Sequence, residues 1–202
     1  MLFSPLHDFE NHYHLAHRQV KFFPLPARRQ VAILDLDMPE TEHHEHDVRT
    51  VACAVITVSD TRTPETDRSG QRIQQLLRER SHHIAAYVII KDEPGEIAAA
   101  LGSLPEAAAV VIINGGTGLA PRDTTFEAVS QLIEKEIAGF GELFRMLSYN
   151  EIGAAAMLSR ATAGTVGRRA VFSLPGSTAA VELAMTKLIL PQLGHVAGLL
   201  RG

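Results

Sequence analysis

The chain has 202 residues, of which 46% are hydrophobic and 21% charged, with a formal net charge of −4. That length holds one well-packed core rather than two large ones, and the slight acidity gives no long-range attraction to nucleic acid or anionic lipid. No apolar run reaches the length of a membrane span, no secretory signal pattern opens the chain, and the single cysteine, Cys53, lies in an apolar run, so a cytoplasmic protein without nucleic-acid or membrane partners is expected.

Residues 1–50 read as a flexible N-terminal tail. They hold seven of the ten histidines and sustain no amphipathic period. Val31 to Leu34 could form a short strand, but Asp35 and Asp37 interrupt it. Met38 is a candidate natural start, which would make residues 1–37 a translated upstream region; mass spectrometry of the native protein tests this. His43, His44 and His46 sit in a polar stretch and read as solvated rather than as a metal site, because no fixed geometry or supporting shell can be argued for them.

From Val51 to the C-terminus strands and helices alternate, which predicts an α/β domain spanning 51–202. Val51 to Val58 reads as a strand buried on both faces. Ile73, Leu76 and Leu77 share one helical face, ending near Ser81. Ile84 to Ile90 is the second strand. Ile97, Ala100, Leu101 and Leu104 mark a helix closed by Pro105, and Ala109 to Ile113 is the third strand. Phe126, Val129, Ile133 and Ile137 predict one helical stripe opened by a capping box from Thr124 to Glu127. Short helices are expected at Glu142 to Leu147 and Glu151 to Leu158. A hairpin follows, with strands Thr162 to Val166 and Ala170 to Leu174 turning at Gly167-Arg168, and it contributes one antiparallel strand. A last helix carries Val181, Ala184, Met185, Leu188 and Ile189, with Pro191 expected to break it before a short C-terminal helix.

Polar loops follow several strands and should converge at the carboxyl edge of the sheet, where helix N-termini gather. Asn114-Gly115-Gly116-Thr117-Gly118 is the strongest of them. Three glycines in four residues exceed what a tight turn requires and let backbone N–H groups approach an anion. The spacing matches neither a P-loop nor a dinucleotide fingerprint. Asp123 alone could merely favour a helix start. Beside a bound phosphate its carboxylate would be repelled by about 4 kcal/mol at about 4 Å with an effective dielectric of about 20, so it makes sense there if Mg²⁺ bridges it to phosphate. Ser59-Asp60 after the first strand could hold a polar ligand. For Asp67 and Ser69 capping is the leading reading and ligand binding the second. Asp92, after the second strand, is equally ambiguous. Pro175-Gly176-Ser177 presents another glycine-opened helix start, and two such starts at one edge suit a ligand with several phosphates.

Ser59-Asp60, Asp67-x-Ser69-Gly70, Gly115-Gly116-Thr117-Gly118, Pro121-Arg122-Asp123-x-Thr125, Gly139-Phe140-Gly141-Glu142, Ser159-Arg160 and Leu174-Pro175-Gly176-Ser177 occur in this order. The set resembles the molybdenum cofactor biosynthesis protein B and molybdopterin adenylyltransferase family over about Val51 to Leu193, and Phe140 to Tyr149 resembles the protein B branch. The resemblance implies a three-layer α/β/α fold with a mostly parallel mixed sheet, and a homotrimer or homohexamer. It implies adenylylation of molybdopterin by Mg-ATP with release of pyrophosphate, or alternatively a non-catalytic molybdopterin-binding or assembly subunit. By the same resemblance Asp92 and Asp123 match the acidic catalytic positions, with Asp123 toward Mg²⁺, and Gly115 to Gly118 and Gly176-Ser177 match the ligand loops. Departures from the family pattern are Lys91 and Ala138 for prolines and Ala179 for a lysine that would contact phosphate.

Overall fold

The structure is a computed structural model and describes residues 48–201. The expectations for the tail, for the strand at Val31 to Leu34, for a start at Met38 and for the histidine cluster lie outside the described residues.

Six strands form one sheet in the order β2-β1-β3-β6-β5-β4. They are β1 (Ala52–Val58), β2 (His83–Ile90), β3 (Val110–Asn114), β4 (Lys135–Glu136), β5 (Thr162–Val166) and β6 (Arg169–Leu174). Strands β1, β2, β3 and β6 are mutually parallel, and β5 runs against both β6 and β4. The expected single antiparallel strand is therefore β5, joined to β6 by the turn at Gly167, whose φ is +57°. The chain passes from β1 outward to β2 and then returns to the other side of β1 as β3, so a crevice opens at the carboxyl ends of β1 and β3.

Alternation along the strands feeds two cores. Cys53 and Val55 of β1, Val110 and Ile112 of β3, and Phe172 and Leu174 of β6 pack against Ile73 and Leu77 of α1 (Arg68–Glu79), Phe144 of α4 (Ala138–Ile152) and Val181 of α5 (Thr178–Ala184). Ala54, Ile56, Val111 and Ile113 face the other way, onto Ile97 and Leu101 of α2 (Pro94–Ser103) and Val129 of α3 (Thr125–Leu132). Three layers follow directly from strands that are apolar on both faces. Ile112 is fully buried in the central strand, so Ile112→Ala should cost about 2 to 5 kcal/mol.

Four local expectations are corrected. The capping box does not form, because the Thr124 hydroxyl donates to Asp92 and Glu127 pairs with Arg160 instead. The stripe through Ile137 is not one helix. Helix α3 stops at Leu132, and the chain turns at Ile133 into β4, which the pairing with β5 extends. The two short helices are one, α4, with a 3₁₀ segment Gly153–Leu158 beyond it. Pro191 does not break the last helix. A π segment, Met185–Ile189, widens the spiral so that the Leu190 N–H bonds to the Met185 carbonyl, and Pro191 falls in the first turn of α6 (Leu190–Leu199), where its missing N–H matters least.

Candidate functional site

Loops after β1, β2, β3 and β6 meet over the crevice and enclose a cavity of about 600 Å³. Of the residues singled out from sequence, Ser59, Asp60, Asp92, Gly115, Gly116, Thr117, Gly118, Asp123, Pro175 and Gly176 line it. Asp67, Ser69 and Ser177 do not. The Ser177 hydroxyl instead accepts the Ala180 N–H and caps α5.

The glycine loop is held by what surrounds it. Gly115 has φ +102° and sits so close to β1 that a Cβ there would lie 2.2 Å from the Val58 carbonyl oxygen. Gly116 has φ +61°, and its Cβ would lie 2.2 Å from Thr125 Oγ1 and 2.3 Å from Asp92 Oδ2. Only glycine fits either place. Among the described residues, the Gly115 N–H bonds to the Leu174 carbonyl, while the N–H groups of Gly116, Thr117 and Gly118 have no protein acceptor. The carbonyls of this loop are engaged. Gly116 O accepts the Thr125 N–H, and Arg160 donates through Nε to Thr117 O and through Nη2 to Gly118 O, both at 2.9 Å. Arg160 is itself forked onto Glu127 and stacked over Phe126 at 4.9 Å, and this pairing holds the Glu127 carboxyl below its usual range. The loop thus turns its oxygens to protein and leaves amide hydrogens for an anion in the cavity.

Beneath it lies a buried polar cluster. Asp67 is fully buried and caps α1 by accepting the Gly70 N–H at 3.0 Å. It also accepts hydroxyl donors from Thr57 at 2.5 Å and Tyr87 at 2.8 Å. Burial pushes its pKa up, but these donors with Ser69 outweigh burial and hold it below the usual carboxylate value. Thr57 in turn accepts from Asn114 Nδ2, and the Ser69 hydroxyl lies 2.8 Å from Asn114 Oδ1. Arg62 ties this cluster to the cavity, bonding Asp67 Oδ1, Ser69 Oγ and the Gly176 carbonyl. So Asp67 and Ser69 lie one layer below the cavity: they fix β1, β3 and the start of α1 to one another, beyond simple capping.

Asp92 Oδ1 accepts the Thr124 N–H, the Thr124 hydroxyl and the Thr125 hydroxyl, so it is anchored to the start of α3. Asp123 Oδ2 accepts the Ala120 N–H, and Oδ1 has no hydrogen-bond partner among the described residues. Asp123 is next to the glycine loop, since a Cβ on Gly118 would lie 2.6 Å from its Oδ2. Asp60 pairs with Arg122 at 2.9 Å across the mouth. The three cavity arginines are all engaged, and neither Asp92 nor Asp123 has a cationic partner among the described residues.

A family model described as a probable molybdopterin binding domain matches residues 54–195. Molybdenum cofactor biosynthesis protein B of Bacillus cereus is 56% identical over 162 residues, which cover 79% of this chain and 96% of that protein. The chain belongs to the molybdenum cofactor biosynthesis protein B family. Protein B of Bacillus subtilis is 54% identical over 162 residues, covering 79% of this chain and 95% of that protein. A crystal structure of a molybdenum cofactor biosynthesis protein B shares the fold with a TM-score of 0.72 at 56% identity, covering 75% of this chain and 96% of that one. A tungsten cofactor synthesizing protein from Pyrococcus furiosus has a TM-score of 0.68 at 37% identity, covering 77% and 99%.

Within this protein B fold, the cavity residues that sequence reading passed over are the arginines. Arg62 and Arg122 stand inside polar loops already singled out, and an arginine among post-strand carboxylates was the available signal. Arg160 had none. It reaches the glycine loop from the end of the 3₁₀ segment, 42 residues further along the chain, a meeting no local pattern announces.

Proposed function

We propose that this protein binds molybdopterin together with Mg-ATP in the crevice cavity and transfers the adenylyl group to the pterin's terminal phosphate, acting in the cytoplasm as a homotrimer or homohexamer. The observation that carries the reading is the row of N–H groups at Gly116, Thr117 and Gly118, which have no partner among the described residues and belong to residues lining a cavity that Asp92 and Asp123 also line. Backbone amides in such a row suit phosphate oxygens.

In the reaction, an oxygen of the terminal phosphate attacks the α-phosphorus of ATP. A new P–O bond forms, the bond from the α-phosphorus to the bridging oxygen breaks, and pyrophosphate leaves with that electron pair. The attacking oxygen is already ionised near neutral pH, so positioning and charge neutralisation dominate and no protein nucleophile is needed. The glycine loop and the Pro175-Gly176 turn position phosphates. Asp92 braces the start of α3 under the loop. Ser59 and Asp60 border the mouth.

The carboxylates fit a magnesium ion of the nucleotide-bound kind. Among the described residues no three His, Cys, Asp or Glu side chains form a cage for a metal. Asp123, whose Oδ1 has no hydrogen-bond partner among the described residues, instead suits Mg²⁺, which commonly takes one or two carboxylates and completes its shell with phosphate oxygens and water. When bound, the ion supplies the positive charge that lets phosphates and these carboxylates share the cavity.

A second reading is a non-catalytic molybdopterin-binding or assembly subunit. It is favoured by Ala179, which stands where the family resemblance places a lysine, and by the engagement of all three cavity arginines. Mixing the protein with molybdopterin, ATP and magnesium separates the two. Pyrophosphate release that EDTA abolishes is expected. Pterin binding without pyrophosphate release would overturn the transferase reading in favour of the assembly one.

A further inference from the structure

Arg62 stands between the buried polar cluster and the turn after β6, and its bonds reach three parts of the chain at once. Its backbone N–H and that of Thr61 donate to Ser59 Oγ at 3.2 and 3.3 Å, which fixes the loop after β1. The side chain lines the cavity. Nη1 donates to Asp67 Oδ1 at 3.2 Å and to Ser69 Oγ, and Nη2 donates to the Gly176 carbonyl at 3.1 Å. No other donor reaches that carbonyl among the described residues.

The charge of this guanidinium is already spent. Burial pushes the Asp67 carboxyl up, but its hydroxyl and amide donors bring it back below the usual range, so it faces Arg62 as a carboxylate. The pair carries no net charge and adds little long-range attraction for an anion. What Arg62 supplies is geometry: a planar fork held on one edge by Asp67 and Ser69, with Gly176 on the other.

The Gly176 turn touches the glycine loop, since a Cβ on Gly176 would lie 3.0 Å from the Gly115 Cα. Like the loop amides, the Gly176 N–H has no acceptor among the described residues. Both turns line the one cavity. Two phosphates joined through a bridging oxygen can therefore engage both turns together, whereas a lone phosphate engages one. Binding of the second phosphate is then intramolecular, and its gain vanishes when the turns lose their spacing. We propose that Arg62 is a positioning residue that sets a preference for linked phosphates: anchored on Asp67, it keeps the Gly176 turn at a fixed spacing from the glycine loop. This rests on the reading of the cavity as a phosphate site.

The experiment compares inorganic pyrophosphate with orthophosphate, each titrated with magnesium into the full chain. Wild type should prefer pyrophosphate. Arg62→Lys keeps the charge but cannot hold Asp67, Ser69 and Gly176 together, and should lose about tenfold or more of that preference. Added guanidinium should restore the preference to Arg62→Ala, and ammonium at the same concentration should not. Gly176→Ala presses a methyl against Gly115 with the guanidinium still in place; it should lose the preference too, and it carries the test if the Arg62 variants do not fold. A preference retained in Arg62→Lys or in Gly176→Ala, or restored equally by ammonium, overturns the proposal. Equal losses of affinity for both anions also overturn it, because a general structural role weakens both alike. A wild type that binds both anions without preference overturns the selection and leaves the phosphate site standing. One that binds neither overturns the reading of the cavity as well.

Discussion

Replacing Arg160 by lysine keeps a positive charge at the cavity and removes the guanidinium fork. The native side chain donates to Thr117 O and Gly118 O at 2.9 Å each and to both oxygens of Glu127. A lysine ammonium can reach one of these groups well but cannot bridge all three. Loss of one or two of these bonds frees the loop carbonyls to rotate toward the cavity, where water replaces the lost donor, so the net cost to stability stays near about 1 kcal/mol. The Glu127 pair adds little to global stability, because Glu127 is 54% exposed and such pairs contribute about 0 to 1 kcal/mol. Two effects should therefore separate. ATP affinity by calorimetry should fall roughly tenfold to a hundredfold, equivalent to about 1.4 to 2.8 kcal/mol, while the free energy of urea unfolding falls by no more than about 1 kcal/mol. Arg160→Gln, which also loses the charge, should bind more weakly than the lysine variant only by the screened Coulomb part. Unchanged affinity in Arg160→Lys would show that the carbonyl clamp does not organise the loop. An affinity loss matched by an equal stability loss would make Arg160 a general structural residue instead.

Gly116→Ala places a methyl against Thr125 Oγ1 and Asp92 Oδ2 at a φ of +61°, so loss of anion binding is expected with about 1 to 3 kcal/mol of destabilisation, read by titration and denaturant melts. Asp123→Asn should lower magnesium-dependent pyrophosphate release by far more than it lowers stability; the reverse pattern would assign Asp123 to loop structure alone. Asp67→Asn turns an oxygen that receives hydroxyl and amide donors into a donor itself, and about 2 to 4 kcal/mol of stability should go with it. Acid should weaken the fold in two stages. His82 is held below its ordinary value, by burial and then by Arg80, and its Nδ1 accepts the Val51 N–H at 3.3 Å. Its contribution is therefore full above about pH 6.5 and is lost as pH falls through the lowered folded value. Asp67, also lowered, contributes fully above the ordinary aspartate value of 3.8 and loses that contribution only below it. Urea melts between pH 7 and 3 check the order, and a His82→Asn variant that keeps the upper stage would refute the histidine assignment.

What the residues alone determined were features of local period and local chemistry. Two-faced apolar runs at Val51 to Val58 and Ala109 to Ile113 required a sheet covered on both sides. The clustered glycines at 115, 116 and 118 required backbone in close approach, and the ordered motifs matched the family that the comparisons show. Tertiary structure decided the rest. Whether Thr124 caps a helix or holds Asp92 depends on β2 delivering Asp92 beside it. Whether the chain beyond Leu132 continues as helix or pairs as β4 depends on β5 lying alongside. Pro191 looked like a terminus because a proline removes one N–H, and only the widened turn at Met185–Ile189 shows how that loss is absorbed. Arg160 meets the glycine loop because the 3₁₀ segment folds back over the crevice, and contacts between residues so distant along the chain leave no periodic trace in it. Short-range geometry is written in neighbouring residues, whereas the partners of a long polar side chain are chosen by packing.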